Sequence, residues 1–153
     1  TLFASGVAYG LPQAKVWAFM GDGAFVMNPA MLMVERDLNL PNFVHILVSN
    51  RVYGGTSDLD LPNKPVTNFV AMAKSMGLER CWNFDNMTAL EDGFDAAFRG
   101  NDEGHRFVVL ELDPMNAADH RIEEPPMDGP EIKFRFGRYI EATFGAKVFT
   151  HQF

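Results

Sequence analysis

Cysteine is almost missing from this 153-residue chain; Cys81 is the only one. One cysteine closes no disulfide within the chain and builds no Cys-rich metal or iron–sulfur site. That fits a reducing compartment, and a cytoplasmic location is the expectation. Long apolar runs are also lacking, and none approaches the ~20 residues that a membrane span needs. No signal peptide is readable. Basic clusters are absent: 13 Lys and Arg stand against 20 Asp and Glu, a net charge of −7. A nucleic-acid binder would carry a basic stripe, so that class is excluded. A start methionine is lacking too. The chain opens in a helix-like segment, Thr1 to Tyr9, and further residues upstream are the expectation.

What is present is a globular composition, with 47% hydrophobic and 22% charged residues. Chains of this length build a sizeable core as one domain. Short apolar runs alternate with amphipathic stretches. Val16 to Met20 and Phe43 to Ser49 read as buried strands, Glu79 to Phe84 as a short one, and Phe107 to Leu112 as another. Between them, Asn28-Pro29 predicts an N-cap and first turn of a helix that runs to Asn39. Val66 to Met76 predicts a second helix, stopped by Gly77. Thr88-Ala89-Leu90-Glu91 reads as a capping box opening a third helix that ends near Gly100. This alternation predicts an α/β fold, a parallel sheet with helices on both faces. Residues 1–115 form the binding domain in this reading. Residues 116–153 form a polar, Pro-rich surface excursion and a terminal helix over Glu131 to Phe144.

The chemistry concentrates at two strand ends. Gly21-Asp22-Gly23 follows the first strand, and Asn50-Arg51-Val52-Tyr53-Gly54 follows the second, with Asn50 28 positions after Asp22. Parallel sheets bind ligands beyond the carboxyl ends of their strands, near a topological switch point. Both segments can therefore reach one crevice. Magnesium takes oxygen ligands in octahedral geometry and usually few from protein. The Asp22 carboxylate, the Asn50 amide oxygen and a backbone carbonyl just past Asn50 suit it. The glycines let backbone N–H groups approach a diphosphate. The helix at Asn28-Pro29 is expected to point its N-terminus at the same place.

Gly21-Asp22-Gly23-Ala24 and Ser49-Asn50-Arg51-Val52-Tyr53-Gly54 together resemble the thiamine diphosphate motif, a GDG and an NN-like pair under thirty residues apart. The resemblance runs from residue 1 to about Pro114 and takes in Ala4-Ser5-Gly6-Val7-Ala8-Tyr9-Gly10-Leu11-Pro12. It is greatest to the diphosphate-binding, β-type subunit of sulfopyruvate and phosphonopyruvate decarboxylases. The resemblance implies thiamine diphosphate and Mg2+ as cofactors. Asp22, Asn50 and the Val52 carbonyl would hold the metal. Gly21, Gly23 and Ala24 would line the diphosphate, and Tyr53, Gly54 and Gly55 would flank the cofactor. Ser49 departs from the family, which has Asn or Asp there. Gly54 to Asp58 departs from the Ser-Thr-Gly-Gly-Gln of the decarboxylases.

The family works at an interface with a pyrimidine-binding domain, whose Glu activates the cofactor. No room for that domain exists here, so the catalytic Glu is expected on an α subunit in a hetero-oligomer. The implied activity is decarboxylation of a small 2-oxo acid. Two alternatives remain open: a β subunit of a 2-oxo acid:ferredoxin oxidoreductase, or a non-catalytic thiamine diphosphate-binding module. Outside the motif, His45 reads as a core histidine, His105 as solvated and His120-Arg121 as a surface turn. Asp58 and Asp60 read as solvated, and Cys81 as a small buried hydrophobe. Phe134, Phe136, Tyr139 and Phe144 read equally as core or as subunit contact.

Overall fold

Four runs rich in β-branched and aromatic residues pair side by side, as such residues favour. They are Val16–Gly21 (β1), Phe43–Ser49 (β2), Cys81–Phe84 (β3) and Arg106–Glu111 (β4). All pairs are parallel, in the order β1-β2-β4-β3. This computed structural model describes residues 1–54, 59–100, 104–113 and 128–149. The chain divides into two units, Thr1–Asp119 and His120–Phe153.

Alternation along the central strands sends side chains to two cores. Leu47, Phe107 and Val109 meet Phe25, Leu32, Phe69 and Ala73 on one face. Those partners lie on helices Asp22–Met27 (α2), Met31–Leu38 (α3) and Phe69–Ser75 (α4). Ala8 of Leu2–Gly10 (α1) joins the same side against Ala18 and Phe43. On the other face Val44, Ile46 and Val108 meet Ala97 and Phe98. These last belong to a π-helical turn, Asp95–Arg99, that continues helix Met87–Phe94 (α5). The expected parallel sheet with helices on both faces is the fold observed.

Several boundaries differ from expectation for identifiable reasons. Asn28 does not open a helix: Asp22–Met27 is already helical, and α3 begins at Met31 after Ala30. Asn86, not Thr88, caps α5, because its side-chain oxygen accepts from the Ala89 N–H at 2.9 Å. His105 is 3% exposed rather than solvated, with its ring stacked on Phe43. Strand order reverses between β4 and β3, so the described strands place no switch point at β1 and β2.

In the second unit, Gly129–Phe144 (α6) is capped by Asp128, whose side chain accepts from the Glu131 N–H. Phe134 stacks with Phe149, while Phe136 and Tyr139 are exposed. His120-Arg121 and Asp58 lie outside the described residues. No described helix is long and apolar enough to cross a membrane.

Candidate functional site

β1 ends at Gly21, and the chain turns directly into α2 at Asp22. The Asp22 side chain is thereby trapped at the sheet's carboxyl edge, only 2% exposed. A buried carboxylate needs donors around it. Asp22 has three: Oδ1 accepts from the Gly23 N–H at 2.7 Å, and Oδ2 from the Ser49 hydroxyl at 3.0 Å and the Arg51 N–H at 2.7 Å. Ser49 is the last residue of β2 and fully buried. The two strand ends are thus joined through one carboxylate.

Just beyond β2 the backbone bends. Arg51 has φ 63°, a left-handed conformation uncommon for a residue with a Cβ. Asn50 Oδ1 accepts from the Val52 N–H at 3.2 Å, closing an Asx-type turn. Val52 forms an antiparallel bridge with Asp60, and the Tyr53 N–H donates to the Leu59 carbonyl.

These turns enclose a crevice of about 780 Å³ at the carboxyl ends of β1 and β2. Gly21, Asp22, Gly23, Ala24, Asn50, Val52, Tyr53 and Gly54 all line it. Every described residue that the sequence nominated therefore meets at one place; Gly55 lies outside the described residues. Met27, Val48 and Leu112 complete the lining and were not nominated. Met27 is one helical turn beyond Gly23, and Leu112 directly follows β4, so only the tertiary arrangement reveals them. Ser49 and Arg51 were noticed as motif positions, but not as donors to Asp22. The helix that addresses the crevice is α2 rather than the one expected from Asn28.

The residues present fit a divalent cation and a diphosphate. Asp22, Asn50 and the Val52 backbone offer carboxylate, amide and carbonyl oxygens, the hard donors that magnesium favours. Among the described residues no three His, Cys, Asp or Glu side chains gather into a metal cluster. That donor chemistry suits magnesium better than a thiolate- or imidazole-bound metal. A Cβ at Gly21 would meet nothing within 4 Å, so the crevice is open above the turn. A Cβ at Gly23 would instead stand 2.9 Å from the Tyr53 ring. Tyr53 lies hard against that glycine and walls one side.

No described histidine lines the crevice. His45 and His105 sit toward the amino-terminal end of the sheet with Glu35, all three buried. Asp60 is exposed and paired with Lys64. Cys81 is half-buried, and burial pushes its thiol up to about 11, out of the nucleophilic range.

A parallel α/β sheet thus brings an acidic turn and an Asx turn together at adjacent strand ends, around one crevice. Residues 3–112 match the family described as thiamine pyrophosphate enzyme, C-terminal TPP binding domain, and the chain belongs to that family. Thiamine pyrophosphate and thiamine diphosphate are the same compound. Sulfopyruvate decarboxylase subunit beta of Methanocaldococcus jannaschii is 28% identical over 141 residues, 90% of this chain and 72% of that protein. The subunit of the same description from Methanococcus maripaludis is 27% identical over 140 residues, again 90% and 72%. In fold, the chain resembles the thiamine diphosphate-dependent 4-hydroxybenzoylformate decarboxylase of Rhodococcus jostii RHA1, with TM-score 0.57 at 23% identity. That likeness covers 74% of this chain but only 22% of the longer one.

Proposed function

We propose that this chain is the diphosphate- and magnesium-binding subunit of a thiamine diphosphate-dependent 2-oxo acid decarboxylase, a lyase that is active only with a pyrimidine-binding α subunit. The observation that carries the reading is the convergence of Asp22, Asn50 and Val52 on one crevice. Asp22 and Asn50 hold the Mg2+ through side-chain oxygens, and Val52 through its carbonyl. Gly21, Gly23 and Ala24 receive the diphosphate, and Tyr53, Gly54 and Gly55 flank the cofactor. When bound, thiamine diphosphate supplies the electron sink for loss of carbon dioxide from a 2-oxo acid.

The described lining residues bind and orient rather than move protons. Of the described lining residues only Asp22 and Tyr53 carry titratable side chains. Asp22 is already engaged by three donors. The family resemblance assigns the activating Glu to the partner, and the described lining agrees with that in offering no Glu. No described Lys or Arg lines the crevice, so a substrate anion is also met by the partner. The relatives' description as beta subunits supports a hetero-oligomer. Exposed Phe3, Tyr9, Phe19 and Met27 support it as well, since apolar surface of this kind is usually covered by a partner.

Coexpression with the α subunit tests the activity. The complex should release carbon dioxide from a 2-oxo acid without an electron acceptor, and neither subunit alone should do so. Release that requires ferredoxin would instead identify an oxidoreductase. A cofactor-loaded complex with no turnover would identify a binding module.

A further inference from the structure

Arg51 adopts a left-handed backbone although it has a Cβ. Such residues are strained and persist only where their surroundings over-determine them. The surroundings here are unusually complete. Arg51 Nε and Nη2 donate to the two Glu111 carboxylate oxygens at 3.0 and 2.5 Å. Nη1 donates to the Thr67 carbonyl at 2.8 Å and the Lys64 carbonyl at 3.2 Å. The guanidinium also lies over the Phe69 ring, 5.0 Å from its centroid. Its side chain is thus fixed to the end of β4 and to the segment leading into α4, outside the crevice. Its backbone faces the other way: the N–H donates to Asp22 Oδ2, and the carbonyl accepts from the Leu61 N–H.

We propose that Arg51, held by Glu111, is a positioning residue for the cation site. It aims the Asp22 carboxylate and sets the turn that presents the Asn50 and Val52 oxygens. The proposal rests on the magnesium reading above. An ionised carboxylate has about four lone-pair sites. Three are taken by the Gly23 N–H, the Ser49 hydroxyl and the Arg51 N–H, which leaves one direction free. Without the fork on Glu111, only the single Nη1 on the Thr67 and Lys64 carbonyls and the Phe69 ring hold the side chain, and the left-handed state is less firmly fixed. The backbone can then relax, releasing Oδ2 and turning Asn50 and Val52 away together. Lysine keeps the charge but cannot reproduce a two-pronged contact with a carboxylate.

The test is the Mg2+ concentration that half-saturates thiamine diphosphate binding, measured by calorimetry on the complex with its α subunit. Mn2+ in place of Mg2+ adds a spin-resonance spectrum of the bound ion. Arg51→Ala should raise the half-saturating concentration about tenfold or more, as loss of a residue that orients a ligand typically does. It should also broaden the Mn2+ spectrum. Arg51→Lys should recover only a minor part. Ile46→Val, a core truncation on the opposite face of the sheet, should lower the melting temperature and leave both readouts unchanged. Should Arg51→Ala fail to fold, Glu111→Gln keeps the shape, weakens the fork, and should move both readouts in the same direction. Wild-type metal dependence in the folded Arg51 or Glu111 variant, with Asp22→Ala abolishing it, overturns the proposal and leaves the magnesium reading standing. Unchanged metal dependence in Asp22→Ala overturns both.

Discussion

At the scale of single residues, the crevice depends on side chains that do opposite things. Asp22 is valuable because its carboxyl group is buried, and its three donors make that tolerable. Gly23 is valuable because it has no side chain. A methyl group there would come within 2.9 Å of Tyr53 Cδ1, closer than real contacts allow, so the ring would have to move. Gly23→Ala should therefore destabilise the apo chain by roughly 1–3 kcal/mol, the range for over-packing. Removing the ring with Tyr53→Ala in the same chain should remove most of that increment. Urea denaturation of the two single variants and the double variant measures it. Equal penalties with and without the ring would show that Tyr53 is not the obstacle. That Asp22, Gly23 and Asn50 would meet at one crevice was legible, because parallel strands bring their carboxyl ends to one edge of the sheet. Ser49 and Arg51 were not legible as Asp22's donors, because a hydroxyl and a backbone N–H carry no signal until the strands are paired.

Secondary-structure elements show where local signals suffice and where they mislead. Continuous apolar runs identified β2 and β4 nearly to the residue, since strands covered on both faces leave few polar positions. The start at Asn28-Pro29 misled, because the pattern of cap and proline is real but α2 already occupies Asp22–Met27. Asp22 and Gly23, which open the helix, have weak intrinsic propensity; burial of Phe25 in the core supplies what propensity does not. His105 also misled, because its burial depends on a partner 70 positions earlier, Glu35. Glu35 on α3 lies 2.9 Å from His45 Nδ1 on β2 and 3.1 Å from His105 Nε2 just before β4. Burial pushes the His45 imidazole down from its ordinary 6.5, against the pull of the Glu35 carboxylate. Burial alone would raise the Glu35 carboxyl, yet the imidazoles of His105 and His45 and the Thr1 hydroxyl outweigh it and hold it at about 2. Both groups titrate below their ordinary values in the folded chain, so the unfolded chain binds more protons as pH falls. Stability from His45 is complete above its ordinary value of 6.5 and is lost below it. The Glu35 contribution is lost later, from about 4.5 down toward 2. The urea midpoint should fall as pH is lowered from 7.5 to ~5, because the unfolding free energy falls by up to about 1.4 kcal/mol per pH unit for one proton. A midpoint that stays flat across that range would contradict a neutral, buried His45.

For the whole molecule, the parallel sheet was legible because its alternating elements allow few other architectures. The position of the crevice at strand carboxyl ends followed from the same rule, although the described strand order does not reverse there. Dependence on a partner is less direct. It is read from a crevice with few titratable groups and from apolar side chains such as Phe19, 65% exposed on an edge strand of a sheet type that is ordinarily covered. The identity of the 2-oxo acid was not legible, because no described cation lines the crevice to select among anionic substrates. Everything else in the functional reading depends on one claim, that Asp22 holds a divalent cation against a diphosphate. Calorimetric titration of thiamine diphosphate into the complex, with Mg2+ and then with a chelator, tests it most directly when Asp22→Ala is run beside the native chain. The native complex should bind only with Mg2+, and Asp22→Ala should not bind at either condition. Binding by Asp22→Ala with undiminished affinity and undiminished dependence on Mg2+ would contradict the account.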